Sequence, residues 1–277
     1  MSKKIRRRRI WLAIFAVLLL LLIYAGAIEP YWFETTHVDI HLSRLPKELD
    51  GLRIVQMSDF HYFPPLVTRQ AKMAVDIANS LHPDLIVLDG DYVTESPHHA
   101  EPLATILANL HERLGVYAVL GNHDYWTNAD IVQRALTSHG ISVLRNQSVP
   151  ITSAHARVWL TGVDDATEGL ADIQMALKNI PRNEAVVLLV HEPEFADVAC
   201  RYPVDLQLSG HTHGGQVRLP FIGALHYPKG GRKYSLGLNH AGSMPVYTTR
   251  GVGVLPLALR FGCRPEVTVL TLHSGKP

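Results

Sequence analysis

The sequence predicts an α/β fold of two packed β-sheets with helices on the outside, preceded by an apolar helix long enough to cross a membrane. Three observations predict it. Apolar runs of strand length alternate with helix-length amphipathic segments through the first half of the chain, as in βαβ units. The end of the chain is rich in short strands and glycine turns, which a simple doubly wound sheet would not need. Residues 10–28 carry no charge at all. At 277 residues the chain is long enough for one large domain and short for two.

The elements follow in order. Lys3, Lys4, Arg6, Arg7, Arg8 and Arg9 crowd the start, directly before the nineteen uncharged residues 10–28. A helix of that length matches the roughly 30 Å hydrocarbon core of a bilayer at about 1.5 Å per residue. The length favours an uncleaved single-pass anchor in the inner (cell) membrane. Its basic end, residues 1–9, then stays in the cytoplasm, and the catalytic domain lies on the extracytoplasmic side. A cleavable signal is the alternative, because Ala25-Gly26-Ala27 offers the small residues of a cleavage site. Residues 29–44 are expected to form a juxtamembrane segment and a first strand, with Tyr31, Trp32 and Phe33 suited to the bilayer interface. Residues 45–273 are the expected catalytic domain, carried on this stalk.

The alternation of Val38, Ile40 and Leu42 predicts the first strand over 36–42. Further strands are expected at 52–57, 85–88, 116–120, 157–163, 185–190, 204–208, 245–249 and 266–272. Thr68 is a candidate N-cap for a helix with Ala71, Ala74, Ala78 and Leu81 on one face. Helices are also expected over 99–113 and 128–139, the latter closed by Gly140, with shorter ones at 170–179 and 194–201.

Five of the apolar runs end on residues that bind metals. Asp59-Phe60-His61, Gly90-Asp91, Gly121-Asn122-His123-Asp124, His191 and Gly210-His211-Thr212-His213 each follow one run. The carboxyl ends of strands are where open α/β sheets carry their chemistry, so these donors should converge on one rim. In an extended segment residues two apart point the same way, which pairs Asp59 with His61 and His211 with His213. Asp91 has two carboxylate oxygens and can bridge two cations, which an imidazole nitrogen cannot do. Asn122 adds an amide oxygen and His191 a lone imidazole. Oxygen and nitrogen donors without thiolates suit divalent manganese, iron or zinc. Two such ions can activate a shared hydroxide and clamp phosphoryl oxygens during in-line displacement. His123 is expected to face away from the metals and assist a leaving group, with Asp124 orienting its imidazole. The net charge of +1 gives no reason to expect nucleic acid. Cys200 and Cys263 have no zinc-finger spacing, and their separation does not say whether they pair.

The ordered series DxH, GD, GNH[DE], a lone histidine and GHxH resembles the calcineurin-like metallophosphoesterase family over roughly residues 50 to 272. The surrounding text, GNHDYW and GHTHGGQVRLPFIGAL, is similar to its bacterial membrane-anchored phosphodiesterase branch. The resemblance implies an αββα sandwich of two mixed sheets and a dinuclear site. Asp59, His61, Asp91 and His213 would hold one metal; Asp91, Asn122, His191 and His211 the other; His123 would serve the leaving group. One departure is Tyr92-Val93-Thr94 after Asp91, where the family commonly continues with an acidic residue.

The expected activity is hydrolysis of a phosphodiester or pyrophosphate bond by a membrane-anchored enzyme, on a substrate that includes phospholipids and lipid-linked phosphates as candidates. Two rivals are a UDP-2,3-diacylglucosamine-type pyrophosphate hydrolase of lipid A assembly and a non-catalytic metal-binding interaction module. The segment 218–242, apolar at Leu219 to Leu225 and basic at Lys229, Arg232 and Lys233, is either a hairpin with a solvated tip or a lip facing substrate. His226 and His240 flank it as possible substrate contacts.

Overall fold

Strands covered on both faces read as unbroken apolar runs, and all five ligand-ending runs lie inside a sheet. The computed structural model describes residues 3–153, 155–255 and 258–275; Met1 and Ser2 of the basic start lie outside it. The fourteen strands among these residues are β1 (Glu34–Leu42), β2 (Leu52–Met57), β3 (Leu85–Asp89), β4 (Val116–Val119), β5 (Ser142–Val143), β6 (Gln147–Ser153), β7 (Ala156–Gly162), β8 (Val186–Leu189), β9 (Leu206–Ser209), β10 (Arg218–Leu219), β11 (Gly223–Ala224), β12 (Gly237–Ala241), β13 (Met244–Thr248) and β14 (Glu266–Ser274). One six-stranded sheet runs β1-β14-β2-β3-β4-β5 and the other β12-β13-β9-β8-β7-β6, with β10-β11 a separate hairpin. Both sheets are mixed: β2, β3, β4 and β5 are parallel while β14 opposes β2, and β7, β8 and β9 are parallel while β6 opposes β7.

Three apolar layers hold the sandwich. Ile54, Leu85, Val87 and Val119 of the first sheet pack against Leu160, Val187, Leu189, Leu206 and Leu208 of the second. The alternate residues Val55, Met57, Ile86 and Leu88 face outward onto helices α2 (Thr68–Ser80), α3 (Ala100–Leu107) and α5 (Ala129–Ser138), through Ala71, Leu103 and Val132 among others. Val186, Leu188 and Val246 face the short helices α6 (Ile173–Leu177) and α7 (Ala196–Ala199). Helix α1 (Lys3–Ile23) precedes the sandwich, and α4 (Asn122–Thr127) starts directly on the third motif.

Several boundaries differ from the sequence reading. Thr68 is not an N-cap: Val67 precedes the helix in helical conformation, and the Thr68 hydroxyl lies 3.0 Å from that of Tyr62 instead. Helix α3 ends at Leu107 rather than running to Arg113, because the Asn109 amide folds back onto the carbonyls of Thr105 and Ile106. Asn79 then accepts the His111 N–H, fixing the turn. Helix α5 is bounded as expected, by Asn128 accepting the Ile131 N–H and by Gly140 at φ +82°. Strands β6 and β12 were not anticipated. Both are edge strands, and their partly exposed residues leave no apolar run to read.

The segment after the apolar helix joins the first sheet. Strand β1 pairs in parallel with β14 over nine residues, so that sheet begins at Glu34. The turn Tyr24–Ile28 at the foot of the apolar helix rests on the domain: the Ala25 carbonyl accepts the Arg260 N–H at 2.9 Å, and Tyr24 meets Phe261 edge-on at 6.1 Å. Glu29 accepts the Cys263 N–H at 2.6 Å, and Arg264 lies over the Trp32 ring at 4.9 Å. Cys200 is exposed and Cys263 buried, both free thiols.

Candidate metal centre

The strand order makes neighbours of the ends of β2, β3 and β4 in one sheet and of β8 and β9 in the other. Their following residues form two clusters, Asp59, His61 and His213, and Asp91, His191 and His211, which a third, His61, Asp91 and His123, links. All donor atoms within a cluster lie within 4.8 Å of one another. The Nε2 atoms of His61 and His213 face each other at 2.9 Å. Asp91 stands between the clusters, its Oδ2 3.5 Å from His61 Nε2 and 3.1 Å from His191 Nε2. The amide oxygen of buried Asn122 has no hydrogen-bond partner, nor does His191 Nε2, which faces Asp91 without hydrogen-bond geometry. Buried polar atoms are otherwise paired in folded proteins. Converging imidazoles and carboxylates with an orphaned amide oxygen fit two divalent cations, the group this donor set implies.

The local backbone is not the extended one that the sequence reading assumed. Asp59, His61, Asp91, His211 and His213 have φ of 54°, 43°, 56°, 70° and 50°. That region costs a non-glycine residue roughly 1–2 kcal/mol, so five donors share a strained conformation that only the surrounding fold can impose. Its consequence is that His211 and His213 part company, one to each cluster, rather than chelating together. Gly210 permits the approach of the two sheets: a Cβ there would stand 2.0 Å from Ser58 Oγ and 2.5 Å from Asp59 Oδ2. Hydrogen bonds then fix which imidazole nitrogen faces inward. His191 Nδ1 donates to the Asp89 carbonyl at 2.5 Å, leaving Nε2 for the site. His61 Nδ1 lies 2.7 Å from the Thr94 hydroxyl, so Thr94 supports a ligand where the family's usual acidic residue is missing.

Electrostatically this is a carboxylate–imidazole cluster that lacks compensation from its own side chains. Burial raises Asp59 to about 7 against the opposing pull of His191. Burial also opposes ionisation of Asp91, yet His191, His61 and His123 hold it well below the usual carboxylate value. For His191 burial favours the neutral form, and Asp91 and Asp59 override it and push its pKa well up. Burial lowers His61 to about 3 and His211 to about 4. His61 and His211 neutral and Asp91 ionised are the protonation states that cation binding requires, whereas His191 and Asp59 would give up protons to a bound cation.

A profile of calcineurin-like phosphoesterases matches residues 52–215, which contain every one of these donors. This chain belongs to the calcineurin-like phosphoesterase family. It is 37% identical over 255 residues to the uncharacterized metallophosphoesterase YkuE of Bacillus subtilis (strain 168), covering 91% of this chain and 89% of the relative. It is 36% identical over 256 residues to the phosphodiesterase YaeI of Escherichia coli (strain K12), covering 90% and 92%. A transmembrane protein with a metallophosphoesterase domain from Danio rerio is 31% identical over 258 residues, 87% of this chain and 58% of that protein.

In this calcineurin-like phosphoesterase His123 sits at the edge of the clusters. Its backbone N–H donates to Asp91 Oδ1 at 2.9 Å, and its ring lies 4.8 Å from that of His61 and 4.5 Å from Trp126. Its imidazole also comes within coordinating range of His61 and Asp91. Burial lowers its pKa and Asp91 opposes that shift. Asp124 does not grip the imidazole as the sequence suggested. Its Oδ1 accepts the N–H groups of Tyr92 and Val93, and its Oδ2 those of Asp91 and Gly121. Four amides occupy both oxygens, so Asp124 positions the Asp91 loop and the start of α4.

Two contributors were invisible in the sequence. Thr94 is one. Arg260, wholly buried, is the other: its guanidinium donates to the carbonyls of Arg250, Gly251, Gly253 and Cys263. The loop so held lies on the first motif, with Val252 N–H on the Ser58 carbonyl and Gly253 N–H on that of Asp59. A cleft of about 770 Å³ opens over the donors and is walled by Trp126, Val217, Leu225, Leu255 and Leu259, with His226 and Lys229 at its edge. His226 thus lines the cleft, and His240 is not among the residues lining it.

Proposed function

We propose that this chain is a membrane-anchored phosphodiesterase that works with two divalent metal ions, manganese by preference. The observation that carries the reading is Asp91 Oδ2, which belongs with His191 and His211 and also lies 3.5 Å from His61 of the other triad, where one carboxylate can serve both ions. Asp59, His61, Asp91 and His213 would hold one ion, and Asp91, Asn122, His191 and His211 the other. Bound there, the ions would neutralise the phosphoryl oxygens and acidify an attacking water. The chain's own residues do the rest. The Asp89 carbonyl holds His191 in the required tautomer, Thr94 orients the His61 ring, and the apolar wall of the cleft excludes bulk water from the substrate. His123 is placed to give its proton to the departing oxygen, and an anionic substrate in the cleft favours its protonated form. The name of the relative from Escherichia coli supports a diester substrate. The complete donor set argues against a non-catalytic module.

His123→Ala should retain its metal while hydrolysis slows by about 10²–10⁴-fold, chiefly in kcat. The loss should be largest for alkyl diesters and shrink for a nitrophenyl diester, whose leaving group departs without a proton. Metal analysis and a leaving-group series on the purified protein read this directly. Loss of a metal, or equal slowing of all esters, would remove the general-acid role.

Among the described residues one helix is long and apolar enough to cross a membrane, which supports anchoring, as does the transmembrane relative from Danio rerio. The cations before it favour a cytoplasmic amino terminus, with the cleft on the far side of the membrane. Protease added to spheroplasts should therefore cut the catalytic domain. Protection until the membrane is broken would reverse the topology and favour the lipid A-type hydrolase, whose nucleotide-linked substrate is cytoplasmic.

A further inference from the structure

The foot of the apolar helix, the β10-β11 hairpin and the wall of the catalytic cleft meet in one place. Tyr24 and Glu29 line a surface cavity of about 740 Å³ together with Arg218 to Gly223 of the hairpin and Phe261. Gly26 packs so closely on Leu259 that a Cβ would stand 3.2 Å from the leucine side chain. Leu259 in turn lines the cleft over the metal ligands, as does Leu225 just past the hairpin. Between these two contacts the hairpin exposes Phe221 fully (109%) and Ile222 by 71%. Among the described residues nothing covers that tip.

Depth follows from the sequence. Tyr24 lies four residues inside the end of the uncharged stretch at Ile28, about 6 Å along a helix at 1.5 Å per residue. If residues 10–28 span the bilayer, whatever touches Tyr24 to Gly26 lies at the level of the headgroups and the first acyl carbons. An aromatic and an aliphatic side chain at a hairpin tip are costly to leave in water and favourable there. Arg218, on the near side of the tip, is turned away from it and donates to the Gly214 carbonyl and to the Tyr227 hydroxyl.

We infer that Phe221 and Ile222 enter the outer leaflet beside the anchor, and that the cleft opens sideways into that leaflet to take a glycerophospholipid diester. The inference rests on the anchored phosphodiesterase reading and names its substrate class. The phosphate reaches the donor cluster while the acyl-bearing side lies along Leu225, Leu255 and Leu259, so the lipid need not leave the membrane. Hydrolysis adds one water across one P–O ester bond and yields a phosphate monoester and an alcohol. Lys229 at the cleft edge suits the anionic headgroup region.

The test uses the full chain reconstituted in vesicles of phosphatidylethanolamine and phosphatidylglycerol. In a Cys200→Ser background, Phe221→Cys carries an environment-sensitive fluorophore. The label should be quenched by doxyl-labelled lipid and shielded from iodide; quenching by iodide alone overturns the insertion. Separately, the Phe221→Asp/Ile222→Asp double variant is assayed on phosphatidylglycerol in the vesicles and on a soluble nitrophenyl diester. The ratio of lipid to soluble turnover should fall about tenfold or more. An unchanged ratio overturns the lateral entrance. If the label is buried in lipid but the unmodified chain hydrolyses no diester, the phosphodiesterase reading fails and the substrate assignment with it, while the place of the hairpin stands.

Discussion

Asp91→Ala should abolish hydrolysis by about 10³-fold or more and release metal from both clusters, where loss of a single imidazole releases it from one. Asp91 comes nearest to ligands of both groups, at 3.5 Å from His61 and 3.1 Å from His191, against 4.0 Å from Asp59 to each. Its Oδ1 also anchors the backbone of His123, so the same change loosens the proton donor. Metal ions supply several kcal/mol of charge stabilisation in the transition state, and each 1.36 kcal/mol is tenfold in rate, which sets the expected scale. Asp91→Asn should fall between, because it keeps the acceptor for the His123 N–H and loses the negative charge. The measurement is manganese stoichiometry after chelation and reloading, beside turnover of a soluble diester. His61→Ala is the comparison, expected to keep part of the metal. Full stoichiometry in Asp91→Ala, or turnover within tenfold of the unmodified chain, would show that the carboxylate bridges nothing.

Arg260→Ala should lower stability by about 3–5 kcal/mol, although the residue touches neither substrate nor metal. The guanidinium is fully buried and satisfies four backbone carbonyls. Burial pulls its pKa down from the usual arginine value, against the charge of nearby groups that include Asp59. Each buried acceptor left without a donor costs roughly 1–3 kcal/mol, and water entering the vacated volume recovers part of the total. For a domain of this size about 2–4 °C accompanies each kcal/mol, so the unfolding midpoint in detergent should drop by roughly 10 °C. The loop 250–253 rests on the carbonyls of Ser58 and Asp59, so manganese affinity should weaken as well. Arg260→Lys should lose less stability, since an ammonium reaches some of the same carbonyls. A midpoint within about 3 °C of the unmodified chain would mean that the loop holds itself without the guanidinium.

The candidate donors that the fold brings together were legible because metal chemistry restricts residue type and the fold restricts position. A buried dinuclear site needs carboxylates, imidazoles and an amide, and interior parallel strands need apolar runs, so the two signals fall next to each other at 59, 91, 122, 191 and 211–213. Spacing was a poorer guide to geometry. The period-two rule paired His211 with His213, but left-handed backbone at both residues sends them to different clusters. Asp124 was read as a partner of the neighbouring imidazole, whereas its oxygens reach across to the loop after β3. Thr94 and Arg260 have no residue-type signature: Thr94 acts on His61 far away in sequence, and Arg260 acts through a loop whose contact with Ser58 and Asp59 only the fold makes.

What the sequence determined by itself is the class of chemistry and the strands that carry it, together with an apolar segment of bilayer length. Tertiary structure decided the rest. It inserted β14 between β1 and β2, which joins the segment after the apolar helix to the first sheet, and it brought residues 24–26 against Leu259 and Phe261. Side-chain periodicity reports which face of an element is buried, but not which distant element buries it. Register between strands, backbone strain imposed by neighbours and close approach through glycine arise only when the layers pack.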